Sequence, residues 1–194
     1  MTTNYTNSRY ALSMVILHWF TLILLIAVFG FIELRELFEK GTEARELMKS
    51  IHYTLGLTVL LTVIVRLYFR LTTKVPLIQP APHWVSKNLG AAMHAALYLI
   101  MLGLPIAGWL MLSAAGKPIP FSGLELPALI TENEALADQI KDIHKTIGNL
   151  TYFLIAAHAF AGLYHHYIRH DDTLRRILPK PNKSKNKLAS RLEY

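Results

Sequence analysis

Four long stretches without acidic or basic side chains set what this sequence can fold into. The first lies between Arg9 and Glu33 and has 23 uncharged residues, enough for a helix to cross about 30 Å of hydrocarbon. Only 17% of all residues are charged and 53% are hydrophobic, and the charges gather between these stretches, as is typical of membrane proteins. We therefore predict an all-α, four-helix transmembrane bundle. Its spans cover residues of about 10–32, 50–69, 88–113 and 139–168.

The segments between the spans are polar or rich in helix-breaking residues. Residues 33–49 are dense in charge, residues 71–86 contain three prolines and residues 117–137 contain prolines and a glycine. Because proline interrupts helices, we interpret all three as surface segments. Nothing indicates a second globular unit, so we assign residues 1–180 to one membrane domain and residues 181–194 to a basic tail.

The basic residues are distributed unevenly along the chain. The N-terminus, the proline-rich connection and the tail contribute one, four and eight Lys and Arg, which is 13 of the 20. By the positive-inside rule, these three parts face the cytoplasm. The net charge of +7 is thus explained by membrane topology, and we predict no binding of nucleic acid. At the end of the second span we expect Arg66 and Arg70 to snorkel to the interface.

Histidine is the residue type with the clearest chemical signal. The chain has nine histidines and no cysteine, which excludes iron–sulfur clusters and covalently attached c-type haem but leaves b-type haem available. His144 and His158 are fourteen residues apart on the fourth span, which places them about 21 Å apart and about 40° from the same face of a helix. This spacing fits two flat cofactors stacked across a membrane.

Two further histidines match these in depth if the four spans are antiparallel. His52 lies near the outer end of the second span, level with His144, and His18 lies near the inner end of the first span, level with His158. Each pair is suited to ligate one b-type haem through two imidazoles. His94, near the inner end of the third span, competes with His158 for the inner site.

The remaining polar groups receive minor roles in this interpretation. His165 falls near the membrane boundary and is read as interfacial, and His83, in a loop, as solvated. His94, His165, Arg66 and Arg70 are candidate contacts for a quinone or for haem propionates. A single histidine in an apolar helix is more often structural than a ligand, so a haem-free protein that uses histidines for metal transport or for structure is an open alternative.

The motifs along the chain resemble those of a known family. They are LHW at 17–19, ELR at 33–35, IH at 51–52, VRLYFRL at 65–71, MHAALYLI at 93–100, KDIH at 141–144, LTYFLIAAHAFAGLYHHY at 150–167 and DDTLRRILP at 171–179. On these motifs the chain resembles the bacterial cytochrome b-561 proteins, in particular their superoxide oxidase type. The resemblance implies an oxidoreductase of the bacterial inner membrane with two haem b groups, ligated at His18, His52, His144 and His158. It further implies oxidation of superoxide at the periplasmic face and reduction of ubiquinone, with membrane lipid around the protein and no protein partner required.

The same histidine pattern is also similar to that of the cytochrome b subunits of membrane hydrogenases and formate dehydrogenases. The alternative function is therefore a quinone-linked cytochrome b anchor subunit for a partner dehydrogenase or hydrogenase. One feature departs from what an anionic substrate favours, because the predicted outer loops are rich in glutamate. Within these loops Arg35, Lys40, Arg45, Lys49 and Lys117 are candidates for a local basic funnel over the outer haem.

Overall fold

Four long helices make up most of the computed structural model, which describes residues 9–178. They are α1 (Leu12–Leu34), α2 (Glu43–Thr72), α3 (Trp84–Ala114) and α4 (Glu134–Tyr167), with a 3-10 turn at Arg35–Leu37 and a hairpin of β1 (Pro120–Phe121) and β2 (Leu124–Glu125) before α4. All four helices are long and apolar enough to cross a membrane. The predicted four-helix transmembrane fold is confirmed, while the predicted tail at 181–194 lies outside the described residues.

The helices extend beyond the uncharged stretches that predicted them. α2 begins at Glu43, inside the segment that we expected to be a surface loop, because the Thr42 hydroxyl accepts a hydrogen bond from the Arg45 backbone N–H at 3.4 Å. Acidic residues in a first helical turn are favoured by the helix dipole. The uncharged stretch therefore marks the hydrocarbon crossing rather than the helix. In the same way α3 begins at Trp84 after an N-cap at His83, and α4 begins at Glu134 after an N-cap at Asn133.

The helices pack in chain order, and α4 is set apart from the first two. α1 packs on α2, α2 on α3 and α3 on α4, but over residues 9–178 the Cα atoms of α4 approach neither α1 nor α2 within 8 Å. The buried apolar core lies among the first three helices and consists of Leu24, Val59, Val63, Leu97 and Met101. The backbone of α4 therefore stands apart from the α1–α2 hairpin.

The outward faces of the helices carry large apolar side chains. Leu12, Ile23, Leu99, Phe153 and Phe160 are among those exposed on the surface of the bundle. An exposed apolar surface of this extent is unfavourable in water but matches the hydrocarbon of a bilayer, in which helices satisfy their own backbone groups. The exposure pattern thus agrees with the assignment of all four helices as membrane spans.

One end of the bundle brings together three segments that are far apart in sequence. The Trp19 indole N–H donates to the carbonyl of Ile177 at 3.0 Å. The backbone N–H of Gln79 donates to Asp172 Oδ1 at 2.9 Å, and the Asp172 N–H donates to the carbonyl of Gln79 at 3.0 Å. The start of α1, the proline-rich connection and the segment after α4 therefore share one end, as the charge count assumed. We call it the inner end, and the opposite end, with the 3-10 turn and the hairpin, the outer end.

His165 helps to hold the segment after α4 at the inner end. Its Nδ1 lies 2.6 Å from Asp171 Oδ2, and the Asp171 carboxylate also accepts from the Thr173 N–H at 2.9 Å. Burial raises the pKa of the Asp171 carboxyl, but the hydrogen bonds from Thr173 and His165 outweigh this effect and hold its pKa below the usual range. His165 is thus engaged in the local fold of this end.

Candidate functional site

Two pairs of histidines face each other across the space between α4 and the α1–α2 hairpin. The ring centroids of His52 in α2 and His144 in α4 are 6.4 Å apart. Those of His18 in α1 and His158 in α4 are 6.3 Å apart. These are the same two pairs that the sequence predicted from the depth of each histidine in the membrane. Since His144 and His158 are fourteen residues apart on one helix, the pairs lie at two levels about 21 Å apart.

The spacing of both pairs fits a metal held between two imidazoles. A metal–nitrogen bond of about 2.0–2.1 Å to each ring, with about 1.1 Å from that nitrogen to the ring centre, places two opposed ring centroids about 6.3 Å apart. Both observed distances agree with this value. Two imidazoles on opposite sides of one iron are the arrangement expected for the axial ligands of a low-spin b-type haem.

His94 lies beside the inner pair. Its ring centroid is 5.3 Å from that of His158, which is shorter than two opposed rings on one metal require. Among the described residues, His18 makes its ring contact with His158 and not with His94. This geometry favours His158 as the partner of His18 and leaves His94 as a neighbour of the pair.

Glycines leave open space one helical turn from three of the four paired histidines. Gly56, Gly148 and Gly162 follow His52, His144 and His158 by four residues and so lie on the same helix faces. A Cβ atom built at any of these glycines would meet no other heavy atom within 4 Å. The space beside the ring pairs is therefore suited to a flat macrocycle.

The ring of His144, the outer histidine of α4, packs against a glycine of α3. A Cβ atom at Gly108 would lie 3.4 Å from Cε1 and 3.8 Å from Nδ1 of His144. The Nδ1 atom of His144 is buried and has no well-formed hydrogen bond, and the backbone of Leu104 faces it. Gly108 thus gives the His144 ring its place.

The two pairs differ in the partners of their Nδ1 atoms. His52 Nδ1 lies 2.9 Å from the carbonyl oxygen of Val28. Because a carbonyl only accepts, this Nδ1 carries the hydrogen and Nε2 is left for a metal, as is usual for ligating histidines. His18 Nδ1 instead lies 2.9 Å from Nη2 of Arg66, which only donates, so here Nδ1 accepts and the hydrogen is on Nε2. Binding of a metal through Nε2 would require that hydrogen to move to Nδ1. Sequence analysis missed Val28, because a backbone carbonyl leaves no side-chain signal.

Arg66 points into the bundle rather than to the interface. Its guanidinium contacts His18 and lies over the ring of Tyr98, 5.7 Å from the ring centroid, so the expected snorkelling of Arg66 is wrong. Arg66 follows His52 by fourteen residues, the same spacing as the paired histidines of α4, and therefore faces the inner level as His52 faces the outer one. The fourteen-residue spacing from His52 was the sequence signal that could have placed Arg66 inside the bundle. Nη1 of Arg70 is also buried and unpartnered.

The outer end shows less free positive charge than a basic funnel requires. Ion pairs join Arg35 to Glu36 at 2.6 Å, Arg45 to Glu36 at 3.1 Å and Lys49 to Glu46 at 2.6 Å. Arg45 is buried and also donates to the carbonyls of Arg35 and Phe38, so it holds the turn between α1 and α2. Within residues 9–178, Lys40 and Lys117 are the predicted funnel residues without an ion pair.

The arrangement is less suited to a bare metal ion. Over the described part of the chain, no three or more His, Cys, Asp or Glu side chains gather in a group that could hold one. Protein sites for bare transition metals generally supply three or four ligands, whereas an axially ligated haem needs two. The geometry therefore favours haem over the haem-free metal-transport alternative.

Comparisons with known proteins agree with this chemistry. The family model described as prokaryotic cytochrome b561 matches residues 9–180. The chain is 37% identical over 173 residues to cytochrome b561 homolog 1 of Escherichia coli (strain K12), covering 89% of this chain and 98% of that protein. It is 33% identical over 174 residues to the probable superoxide oxidase CybB of Yersinia pestis, covering 90% and 98%. It is 31% identical over 180 residues to cytochrome b561 homolog 2 of Escherichia coli (strain K12), covering 90% and 94%.

Proposed function

Since this chain belongs to the prokaryotic cytochrome b561 family of haem-binding membrane electron-transfer proteins, we propose that it is a superoxide:ubiquinone oxidoreductase with two haem b groups. In this proposal it carries electrons inward across a bacterial inner membrane, from superoxide at the periplasmic face to ubiquinone. Both termini face the cytoplasm. Residues 1–180 act as one membrane domain, and residues 181–194 form a cytoplasmic tail.

The observation that carries the proposal is the pair of facing histidines at each of two levels. His52 and His144 would hold the outer haem, and His18 and His158 the inner haem. A bound haem supplies one-electron chemistry by cycling between ferric and ferrous iron. The chain positions the rings from three separate helices.

Superoxide as the electron donor is supported by the motif resemblance and by the printed name of the Yersinia pestis relative. Superoxide is an anion, so positive groups near the outer level favour its approach. Of the predicted funnel residues, Lys40 and Lys117 lie at the outer end without an ion pair in the described part of the chain. Two superoxide anions would give two molecules of dioxygen and two electrons.

Ubiquinone as the acceptor is supported by the groups at the inner level. Reduction of one ubiquinone to ubiquinol takes two electrons and two protons, and a quinone carbonyl binds hydrogen-bond donors. Buried donors lie here at Arg66, whose Nε has no partner, and at Arg70, whose Nη1 has none. His94 lies beside the same pair. We infer that these residues line the quinone side, whereas His165 is already bound to Asp171.

The function is tested with purified protein in detergent, supplied with an enzymatic superoxide source and a soluble ubiquinone. We expect superoxide to reduce the haems and ubiquinol to accumulate, and we expect superoxide dismutase to stop both. Haems that dithionite reduces but superoxide does not would contradict the superoxide step. If a dehydrogenase co-purified in fixed ratio and reduced the haems instead, the anchor-subunit alternative would replace this function.

Replacement of Gly108 with valine is expected to lower the haem content toward one per chain. A Cβ alone would stand at contact distance from the His144 ring, at 3.4 Å, but the two methyl groups of valine reach further and would push the ring from its position. The matched control is Gly103→Val on the same helix, where a Cβ would meet nothing within 4 Å. Quantifying extracted haem per chain decides the matter: equal haem content in both variants would show that Gly108 does not place His144.

A further inference from the structure

The two ring pairs lie in different electrostatic surroundings. At the outer level His52 hydrogen-bonds to a neutral carbonyl, that of Val28. The arginine nearest in effect to His52 is Arg35, which forms an ion pair with Glu36 at 2.6 Å, an acid that Arg45 shares at 3.1 Å. At the inner level the hydrogen-bond partner of His18 is itself a cation, Arg66, at 2.9 Å.

No acid in the described part of the chain forms an ion pair with Arg66. In residues 9–178, none of the ion pairs involves Arg66 or Arg70. The charged group that acts on Arg66 is the second cation, Arg70, and its other neighbours Tyr98 and Tyr10 are neutral phenols. The Nε atom of Arg66 and the Nη1 atom of Arg70 are buried without partners. The inner level therefore carries net positive charge in a site of low dielectric, where charges act strongly.

The hydrogen-bond partner of the ring and the net charge of the level both affect the reduction potential of a redox centre, and here they act in the same direction. A carbonyl that accepts from Nδ1–H makes a ligating imidazole more basic and favours the oxidised metal. A guanidinium stays protonated, and its positive charge beside the ring pair favours the reduced, less positive metal. A neutral His18 that ligates through Nε2 would carry its hydrogen on Nδ1, so Arg66 would act by its charge through space and not by donating to that ring. The outer level is thus built to give up an electron and the inner level to take one.

We propose that Arg66 sets the direction of electron transfer by raising the reduction potential of the haem held by His18 and His158 above that of the haem held by His52 and His144. The inference rests on the proposed two-haem function and deepens it. Electrons that enter at the outer level then move downhill toward the quinone side. Arg66 acts as a tuning residue by its position beside the His18–His158 pair, and its charge rather than its shape is what matters.

The test is a spectroelectrochemical titration of the purified, haem-loaded protein and of two variants. In Arg66→Gln we expect the higher of the two midpoint potentials to fall so that the equilibrium constant for passing an electron from the outer to the inner haem drops at least tenfold, or 59 mV for one electron. The lower potential should not change. Arg66→Lys keeps the charge and should keep the higher potential near its wild-type value.

The matched control is Lys74→Gln, which removes a positive charge from an exposed side chain at the same end. Solvent and salt screen such a charge, so neither potential should shift. An unchanged higher potential in Arg66→Gln, or an equal fall of both potentials, overturns the inference. If Arg66→Gln loses the inner haem, the Arg66→Lys variant is the deciding measurement. Retention of the inner haem at its wild-type potential in Arg66→Lys supports the role of charge. Loss of that haem, or a changed potential, in Arg66→Lys overturns the inference.

Failure of this inference and failure of the proposed function look different. Two haems per chain, reduction by superoxide and unshifted potentials in Arg66→Gln would overturn the tuning role alone. Fewer than two haems in the wild-type protein, or no reduction by superoxide, would overturn the proposed function whatever the variants show.

Discussion

Replacement of His158 with alanine is expected to leave one haem per chain, while replacement of His94 leaves two. The reason is geometric: the His158 and His18 rings stand 6.3 Å apart, as two ligands of one iron require, whereas His94 is only 5.3 Å from His158. A haem that loses one of two axial imidazoles in an apolar site is held weakly, because ligand bonds supply much of its binding energy. The measurement is extracted haem per chain, together with reduced-minus-oxidised spectra.

The two alanine variants are matched controls for each other. Both remove an imidazole from the same level of the bundle, on helices that pack together, so they create similar cavities. If His94→Ala lost a haem and His158→Ala retained both haems, the inner ligand would be His94 of α3 and not His158 of α4.

Replacement of His52 with alanine is expected to remove the outer haem and to abolish ubiquinone reduction driven by superoxide. His52 and His144 form the pair nearer the proposed entry side, and without it electrons would have to cross about 21 Å more of the bundle. The loss of rate should exceed the roughly 10–100-fold that removal of a ligand's supporting partner typically costs. The assay compares ubiquinol formation at equal protein, with haem content measured on the same samples.

His83→Ala is the control for this variant. His83 is exposed and caps the start of α3 through its ring, so its loss should leave both haems and the superoxide-driven rate unchanged. Retention of the full rate by a His52→Ala protein that has lost one haem would show that electrons do not enter at the outer level.

The parts of the fold that sequence analysis predicted are those governed by composition and helix geometry. Uncharged stretches identify membrane crossings because a charge in hydrocarbon is costly, and this held for all four helices. The pairing of His52 with His144 and of His18 with His158 follows from depth alone, since each antiparallel span sets the level of its residues. Helix ends were less predictable, because capping at Thr42 and Asn133 extends α2 and α4 through charged turns.

Other features depend on tertiary contacts that no single stretch encodes. The inward direction of Arg66 arises because His18, from another helix, stands at the same level. The ion pairs of Arg35 and Arg45 with one glutamate, Glu36, depend on how the chain turns between α1 and α2. The contact of Gly108 with His144 needs the packing of α3 on α4. Such contacts become visible only when the helices are assembled.

The most direct test of the central claim is the haem content of the wild-type protein. The account predicts two haem b groups per chain after purification in detergent, with both oxidised irons low-spin by electron paramagnetic resonance, as two imidazole ligands on each iron require. A single haem per chain, or a high-spin signal from either site, would contradict the assignment of the two facing histidine pairs as two haem centres.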